Sequence, residues 1–470
     1  MSPKGTAYSR VQGAIIAQMI KLATSDNPTG ILLAAQLARK LTPAHRKREL
    51  DWVVDQIREE QPTLEIARHI ARDLNPKARK AVVQNLVVNG LLQASSQRTK
   101  FTQRTGAHAP LALLISPTMR CNLACEGCYA AKYSPDEDLT HEQLQGIIDQ
   151  ANAIGVFVFT ILGGEPFVRR DILDLATDNP DSFFQVFTNG TLLTDATIDR
   201  LGQIGNVAPM LSLEGDREYT DMRRGEGVYD LVMATMDKLG EAGVAFGYSA
   251  TVMRRNFRYL MSPEFVDTLI ARGCIVGWNF HYMPVGGQDD MRLMPTPAER
   301  NEFREGILKL RKTHPLFAVD FWGDSVLVGG CIAAKWYLHI TSEGWVEPCI
   351  FAHFATHNIK TCTLEEAITS PLFTEIRRRQ PFNHNLLMPC MLIDNPQESR
   401  EIVALTGARS THPGAEMMFD GLASQIDAYA AELERVYSPV WSCVSHSPLD
   451  TYTDRRRAGT AEAPEGSEGA

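Results

Sequence analysis

The sequence predicts an α/β fold: a partial (β/α)6 TIM-like barrel, preceded by an all-helical N-terminal domain and followed by a small α+β C-terminal domain. Three patterns carry this expectation. Before residue 100, apolar residues recur at helical spacing, as in Ile31, Ala34, Ala35 and Ala38, or Val82, Val83, Leu86 and Val87. From Pro110, short apolar runs alternate with amphipathic segments, the mark of parallel β/α units. Trp336 to Pro348 alternates apolar and polar residues around Ser342-Glu343-Gly344, which predicts a β-hairpin.

In the N-terminal domain, residues 1–108, breaks at Asp26-Asn27-Pro28, Thr42-Pro43, Gln61-Pro62 and Asn75-Pro76 divide the chain into about five short helices. Gln93 to His108 is polar and reads as a linker. Six strands follow in residues 109–290: Leu111 to Ser116, Val156 to Leu162, Phe183 to Thr188, Pro209 to Leu213, Phe246 to Val252 and Val276 to Met283. Thr140 with Gln143 predicts a capping box, and Ser262-Pro263 a cap with a first-turn proline. Six units do not close an eight-stranded barrel, so the sheet stays open and its reactive end lies where the strands finish. On the last strand Asn279 and His281 alternate with Phe280 and Tyr282, so one face is polar and could meet substrate, a hydrogen-bonded core histidine being the commoner reading of His281. In residues 291–440, Thr296, Pro297 and Glu299 start a capped helix, and a last helix spans about Glu416 to Val436. Residues 441–470, rich in Gly, Ala, Glu and Arg, are expected to be mostly disordered.

With 470 residues, 44% hydrophobic and 22% charged, the chain can build more than one core, which excludes disorder throughout. It has neither a run of about 18 apolar residues nor the opening pattern of a secretory signal, so a cytoplasmic protein is expected. The net charge of −9 divides into +9 up to His108 and −18 beyond it. The basic region could face the acidic body, an acidic partner or an anionic membrane as a peripheral contact. Nucleic acid is not expected as a partner, since the acidic bulk repels it and no recognition motif occurs.

Cys121, Cys125 and Cys128, in C-x3-C-x2-C spacing directly after the first strand, are three thiolates in one short loop. A structural zinc takes four protein ligands and no fourth lies nearby, whereas a [4Fe-4S] cluster on three cysteines leaves one iron open for chemistry. A zinc site completed from a distant part of the chain, or unliganded thiols, are the other readings of the spacing.

This loop, with aromatic Tyr129 beside the third cysteine, resembles the radical S-adenosylmethionine enzymes, and the likeness covers roughly residues 110 to 285. Further motifs stand in register: Gly163-Gly164-Glu165-Pro166 after the second strand, Thr188-Asn189-Gly190 after the third, Ser212-Leu213-Glu214-Gly215 at the fourth, then Asp221-Met-Arg-Arg224-Gly225 and Gly247-Tyr-Ser249-Ala-Thr251. The resemblance implies a [4Fe-4S] cluster on Cys121, Cys125 and Cys128 that binds S-adenosylmethionine and cleaves it reductively to a 5′-deoxyadenosyl radical, which takes a hydrogen atom from substrate. Tyr129, Gly163, Gly164, Glu165 and Pro166 would form the cofactor turn, the glycines letting backbone approach the methionine amino group. Ser212 and Arg224 are assigned to its carboxylate, and Asn189, Glu214, Ser249 and Thr251 to ribose or adenine.

Cys331, Cys349 and Cys390 resemble the C-terminal auxiliary-cluster extensions called SPASM and twitch, which implies a second [4Fe-4S] cluster. The further compact cysteine group of the extended form is missing, so one auxiliary cluster is expected. Its fourth ligand is left open among Cys362, His353, His357 and substrate. Peptide or protein modification is the first functional expectation, although the N-terminal helices do not look like a winged-helix peptide-binding element. Modification or coupling of membrane lipid or isoprenoid chains is the second. An iron-sulfur electron carrier or redox sensor is the third, although a methionine-binding turn has no use in one. A flavodoxin or ferredoxin is implied as reductant.

Overall fold

The computed structural model describes residues 62–286 and 290–444; the helices expected before residue 62 and the tail from residue 445 lie outside them. One nine-stranded sheet organises the chain, in the order β7-β6-β5-β4-β3-β2-β1-β8-β9. Its strands are β1 (Ala112–Ile115), β2 (Val158–Ile161), β3 (Phe183–Thr188), β4 (Val207–Ser212), β5 (Gly247–Val252), β6 (Val276–His281), β7 (Phe317–Asp320), β8 (Tyr337–Ile340) and β9 (Val346–Glu347). Strands β1 to β8 pair in parallel, and β8 and β9 form the antiparallel hairpin. A separate two-stranded pair joins β10 (Phe354–Ala355) to β11 (Arg409–Ser410).

The expected six strands are present, and both sheet edges are longer than expected. Strand β7 adds to β6, and β8 adds to β1 with Ala112 opposite Tyr337. The boundary at residue 290 therefore cuts across a single sheet, and the hairpin expected in a separate C-terminal domain begins as a barrel strand. Local patterning hides this pairing, because β1 and β8 lie more than 200 residues apart.

Helix starts follow the sequence signals. Thr140 and Gln143 close a capping box on helix His141–Ala153, Ser262 caps helix Pro263–Ile270, and Thr296 with Glu299 caps helix Pro297–Leu310. Two expectations are corrected. The polar stretch read as a linker contains helix Ser95–Thr105, pinned by buried Phe101, by Arg98 donating to the Gly90 and Gly155 carbonyls (2.9 and 2.8 Å), and by a left-handed Gly106 cap. One buried ring gives no periodicity to read. The last helix runs Ala423–Val444, with only a 3-10 turn at Ala415–Met418 before it, because Gly421, the weakest helix former of the run, interrupts it.

Outward-facing strand residues such as Leu113, Phe159, Val186 and Leu211 pack with the surrounding helices in the main core. A second core fills the lower mouth of the barrel. There Leu74, Ala78 and Ala81, from helix Pro76–Ala81 and its approach, meet Phe183, Ala208, Met210 and Ala245 near the starts of their strands. The plug is tied on by polar bonds: Asn75 caps its helix and donates to the Ala242 carbonyl, Lys77 donates to the Gln203 carbonyl, and Asn85 donates to those of Pro180 and Ser182. The plug covers the N-terminal strand ends and leaves the C-terminal ends to the loops that carry the chemistry.

Candidate active site

Beyond β1 the chain enters the loop that carries Cys121, Cys125 and Cys128. Its shape is imposed by a buried charge cluster at the end of β4. Glu214, 1% exposed, binds Arg223 (2.6 Å) and Arg224 (2.5 Å) through one carboxylate oxygen and accepts the Thr251 N–H (2.9 Å) on the other. Arg223 then donates to the Glu126 and Gly127 carbonyls (3.1 and 3.5 Å), inside the cysteine loop. Burial disfavours charge on Glu214, but the two guanidiniums hold its carboxyl below the usual range.

The thiols face donors. Arg224 Nη1 lies 3.9 Å from Cys125 Sγ, Asn189 Nδ2 4.0 Å from Cys121 Sγ, and the Leu123 N–H 3.4 Å from Cys121 Sγ. Burial pushes the Cys121 and Cys128 thiols up, and Arg223 and Arg224 oppose this at Cys128. Among the described residues, no three Cys, His, Asp or Glu side chains converge on a single-ion site. The soft donor set, its spacing and the cationic surroundings fit a [4Fe-4S] cluster.

The Gly163-Gly164-Glu165-Pro166 turn lies against the segment that leads into Cys121: Gly164 N–H donates to the Thr118 carbonyl (3.1 Å) and Glu165 N–H to that of Arg120 (2.8 Å). A Cβ on Gly164 would collide with the Arg120 carbonyl and lie 2.6 Å from the Met119 carbonyl carbon; one on Gly163, whose φ is +119°, would collide with the Thr118 carbonyl. The glycines thus allow contact with the protein's own backbone, a requirement beyond the cofactor approach expected. Gly164→Ala must displace this turn, and the S-adenosylmethionine Kd is expected to rise at least about tenfold, equivalent to ~1.4 kcal/mol. The cofactor-induced change in the EPR spectrum of the reduced cluster measures it; unchanged affinity would show that the contact does not shape the site.

The other named residues take distinct places. Glu165 is 1% exposed and its oxygens accept from Phe167 N–H (3.0 Å), Thr188 Oγ1 (2.8 Å) and Asn189 N–H (2.7 Å), which binds the turn to the end of β3. Its carboxylate, like that of Glu214, is engaged by the chain itself. Buried Pro166 opens a 3-10 turn. Ser212 and Ser249 are register partners on β4 and β5, and Ser249 in turn pairs with Trp278. Tyr129 lies with its hydroxyl 3.4 Å from the Gly163 carbonyl.

The polar face of β6 turns away from the lumen, and His281 takes the core position rather than a substrate contact. Asn279 is buried against Tyr248 (3.2 Å) on the helix side of the sheet, and His281 lies among Phe303, Trp322 and Asp320. Alternation distinguishes two faces without saying which is inner, and here the polar pair is the buried outer one. Toward the lumen stand Trp278 and Phe280, stacked at 6.0 Å, with Phe187 of β3 reaching both (6.4 and 6.1 Å). This aromatic wall continues through Phe280 and Phe351 to Tyr129 (6.5 and 6.1 Å).

Cys331, Cys349 and Cys390 come together around Tyr337. Each is raised by burial, Cys331 is further raised by Cys349, and Cys390 by Asp394 and Cys331. Three candidates for a fourth ligand are placed elsewhere or engaged. Cys362 and His357 line a surface groove with Trp345, Lys360 and Arg409, and His353 is bonded to the Ile350 carbonyl (3.0 Å) and His412 (2.6 Å). Cys390 is held by Asp394, which accepts its N–H (2.9 Å) and pairs with Arg300 in a buried two-point ion pair (2.6 and 3.0 Å).

Sequence reading missed Arg223, although its place beside Arg224 and Gly225 was a signal. It also missed a buried chain with no local trace. Ser116 Oγ lies 2.7 Å from His339 Nε2; His339 Nδ1 lies 2.7 Å from Glu347, which also accepts from Tyr133 (2.7 Å) and Thr411. The chain joins β1, β8 and β9 through side chains that are all buried.

Comparison with known proteins agrees with this geometry. The model of the radical SAM superfamily matches residues 115–259. The chain is 34% identical over 295 residues to mycofactocin maturase MftC of Mycobacterium tuberculosis, covering 58% of this chain and 74% of that protein. It is 26% identical over 283 residues to an AdoMet-dependent heme synthase of Methanosarcina barkeri, covering 54% and 80%. The solved structure of Streptococcus suis SuiB bound to S-adenosylmethionine shares the fold, with a TM-score of 0.54 at 20% identity over 77% of this chain and 84% of that one. Three thiols after the first strand of an open barrel and a relative this similar lead to one assignment: the chain belongs to the radical S-adenosylmethionine superfamily, as an enzyme with a SPASM/twitch-like C-terminal region that uses a [4Fe-4S] cluster and S-adenosylmethionine.

Proposed function

We propose that this enzyme modifies a peptide, with Cys121, Cys125 and Cys128 holding the first [4Fe-4S] cluster and Cys331, Cys349 and Cys390 a second. The likeness to a maturase across 295 residues at 34% identity carries the peptide reading. A maturation protein of Bacillus subtilis, SkfB, at 29% identity over 154 residues, supports it. Cys121, Cys125 and Cys128 would hold the cluster, which with S-adenosylmethionine and an electron from a flavodoxin or ferredoxin would supply 5′-deoxyadenosyl radical chemistry.

The chain's own residues prepare the place for that chemistry. Glu214 and its two arginines hold the cysteine loop, Glu165 fixes the glycine turn against β3, and Ser212, Ser249 and Thr251 line the strand ends above the aromatic wall. Phe187, Trp278 and Phe280 keep water from below, and helix Pro76–Ala81 closes the mouth behind them. In this reading residues 74–81 act as a plug, residues 109–290 carry the cofactor, and the region to 440 brings the second cluster. Among the described residues of the basic region, Lys77, Arg98 and Arg104 reach the body, at the Gln203 and Gly155 carbonyls and Glu365. No helix among the described residues is long and apolar enough to cross a membrane.

The test is anaerobic incubation of the reconstituted enzyme with S-adenosylmethionine, dithionite and the short peptides encoded beside its gene. A cofactor-dependent mass change in one peptide is expected, with 5′-deoxyadenosine formed alongside. Conversion of Fe-coproporphyrin III, with every peptide unchanged, would replace the reading with a tetrapyrrole one.

A further inference from the structure

The second cysteine site contains a side chain that neither its cysteine pattern nor the family likeness assigns. Tyr337 opens β8, its backbone set opposite Ala112 of β1, and its ring is pinned edge-on by Phe321 at 6.2 Å. It is 6% exposed, and its hydroxyl lies 2.9 Å from Cys349 Sγ. The same sulfur faces the Phe351 N–H at 3.5 Å, and Leu392 N–H stands 3.4 Å from Cys390 Sγ. Backbone donors of this kind accompany any cysteine loop. The phenol is different, because a strand of the barrel sheet places it among the three thiols.

We infer that Tyr337 is a positioning residue that tunes the second cluster: its O–H donates to Cys349 Sγ and makes that cluster easier to reduce. The inference rests on the two-cluster reading above. A phenol keeps its proton at neutral pH, so oxygen donates and sulfur accepts. Reduction adds negative charge to the cluster and its sulfurs, so a bond donated to sulfur is stronger in the reduced state than in the oxidised one. The reduced state gains more, and the potential rises. The rigid mounting gives the bond its effect, since β8 and Phe321 leave the hydroxyl little freedom to turn away.

The experiment uses the full-length chain carrying C121A, C125A and C128A, so that only the second cluster titrates. This parent is expected to bind about four irons after reconstitution. A parent without iron overturns the two-cluster reading and the role of Tyr337 with it, an outcome seen before the tyrosine is changed. With iron present, Tyr337→Phe is expected to keep the iron content, shift the midpoint potential to more negative values and alter the EPR spectrum of the reduced cluster. An unchanged midpoint overturns the inference. Loss of iron from a variant with an unchanged unfolding profile overturns it too, because Tyr337 would then be a ligand. If Tyr337→Phe does not fold, 3-fluorotyrosine at this position, a stronger donor of the same shape, must shift the midpoint to more positive values; no shift or a negative one refutes the role.

Discussion

Cys128→Ala is expected to reduce 5′-deoxyadenosine formation under dithionite to the no-enzyme background, with the fold and the second site intact. Losing one of three thiolates leaves two donors for the first cluster, while Cys274 is buried in the outer core and Cys331, Cys349 and Cys390 gather around Tyr337. The loop itself should persist. Arg223 holds the carbonyls of Glu126 and Gly127, and Tyr133 anchors the far side on Glu347, none of which needs the thiol. Iron content after reconstitution is expected to fall from about eight to about four per chain, the number one cubane carries. Product by chromatography and iron by colorimetry decide the matter. Retention of 5′-deoxyadenosine formation would remove this loop from the chemistry, and wild-type protein that held zinc in place of iron would remove the cluster.

Much of this was readable beforehand, and the reason is local. The run Phe183 to Thr188 is bounded by polar turns and forms a strand with the expected ends; Thr140, Ser262 and Thr296 each begin a helix because capping needs only residues three apart. The three-cysteine loop is equally local. What escaped depends on residues far apart in the chain. β8 joins β1 more than 200 residues away, and the Ser116-His339 contact spans 223 positions. Whether Asn279 or Phe280 faces the lumen depends on which side the helices cover, and alternation is symmetric in that respect. Glu165 and Glu214 were read as cofactor contacts because of their motifs, but burial gives each a prior obligation. A carboxylate at 1% exposure must satisfy its oxygens, and nearby backbone N–H groups and arginines already do so.

Glu347 shows the same rule where it has the largest consequence for stability, and Glu347→Leu is expected to cost about 4 kcal/mol. The side chain is fully buried and accepts from three separate segments: Tyr133 after the cysteine loop, His339 on β8, and Thr411 beside β11. Leucine fills similar space but strands three donors, each costing roughly 1 to 3 kcal/mol when left unpaired in the interior. A lower urea midpoint of the apoprotein would measure the total. Hydrogen exchange would give the mechanism: faster exchange is expected in residues 128–136, 337–347 and 409–412, with β3 to β5 unchanged, because the barrel core makes no use of this carboxylate. Glu347→Gln keeps the shape and one acceptor oxygen, so it should recover part of the loss. Since Tyr133 lies five residues beyond Cys128, the leucine variant should also slow 5′-deoxyadenosine formation even with its iron complete. A uniform rise in exchange would mean general destabilisation, and an unchanged midpoint would mean that the three donors find water; either result would end the case for Glu347 as the tie between the cysteine loop and the hairpin.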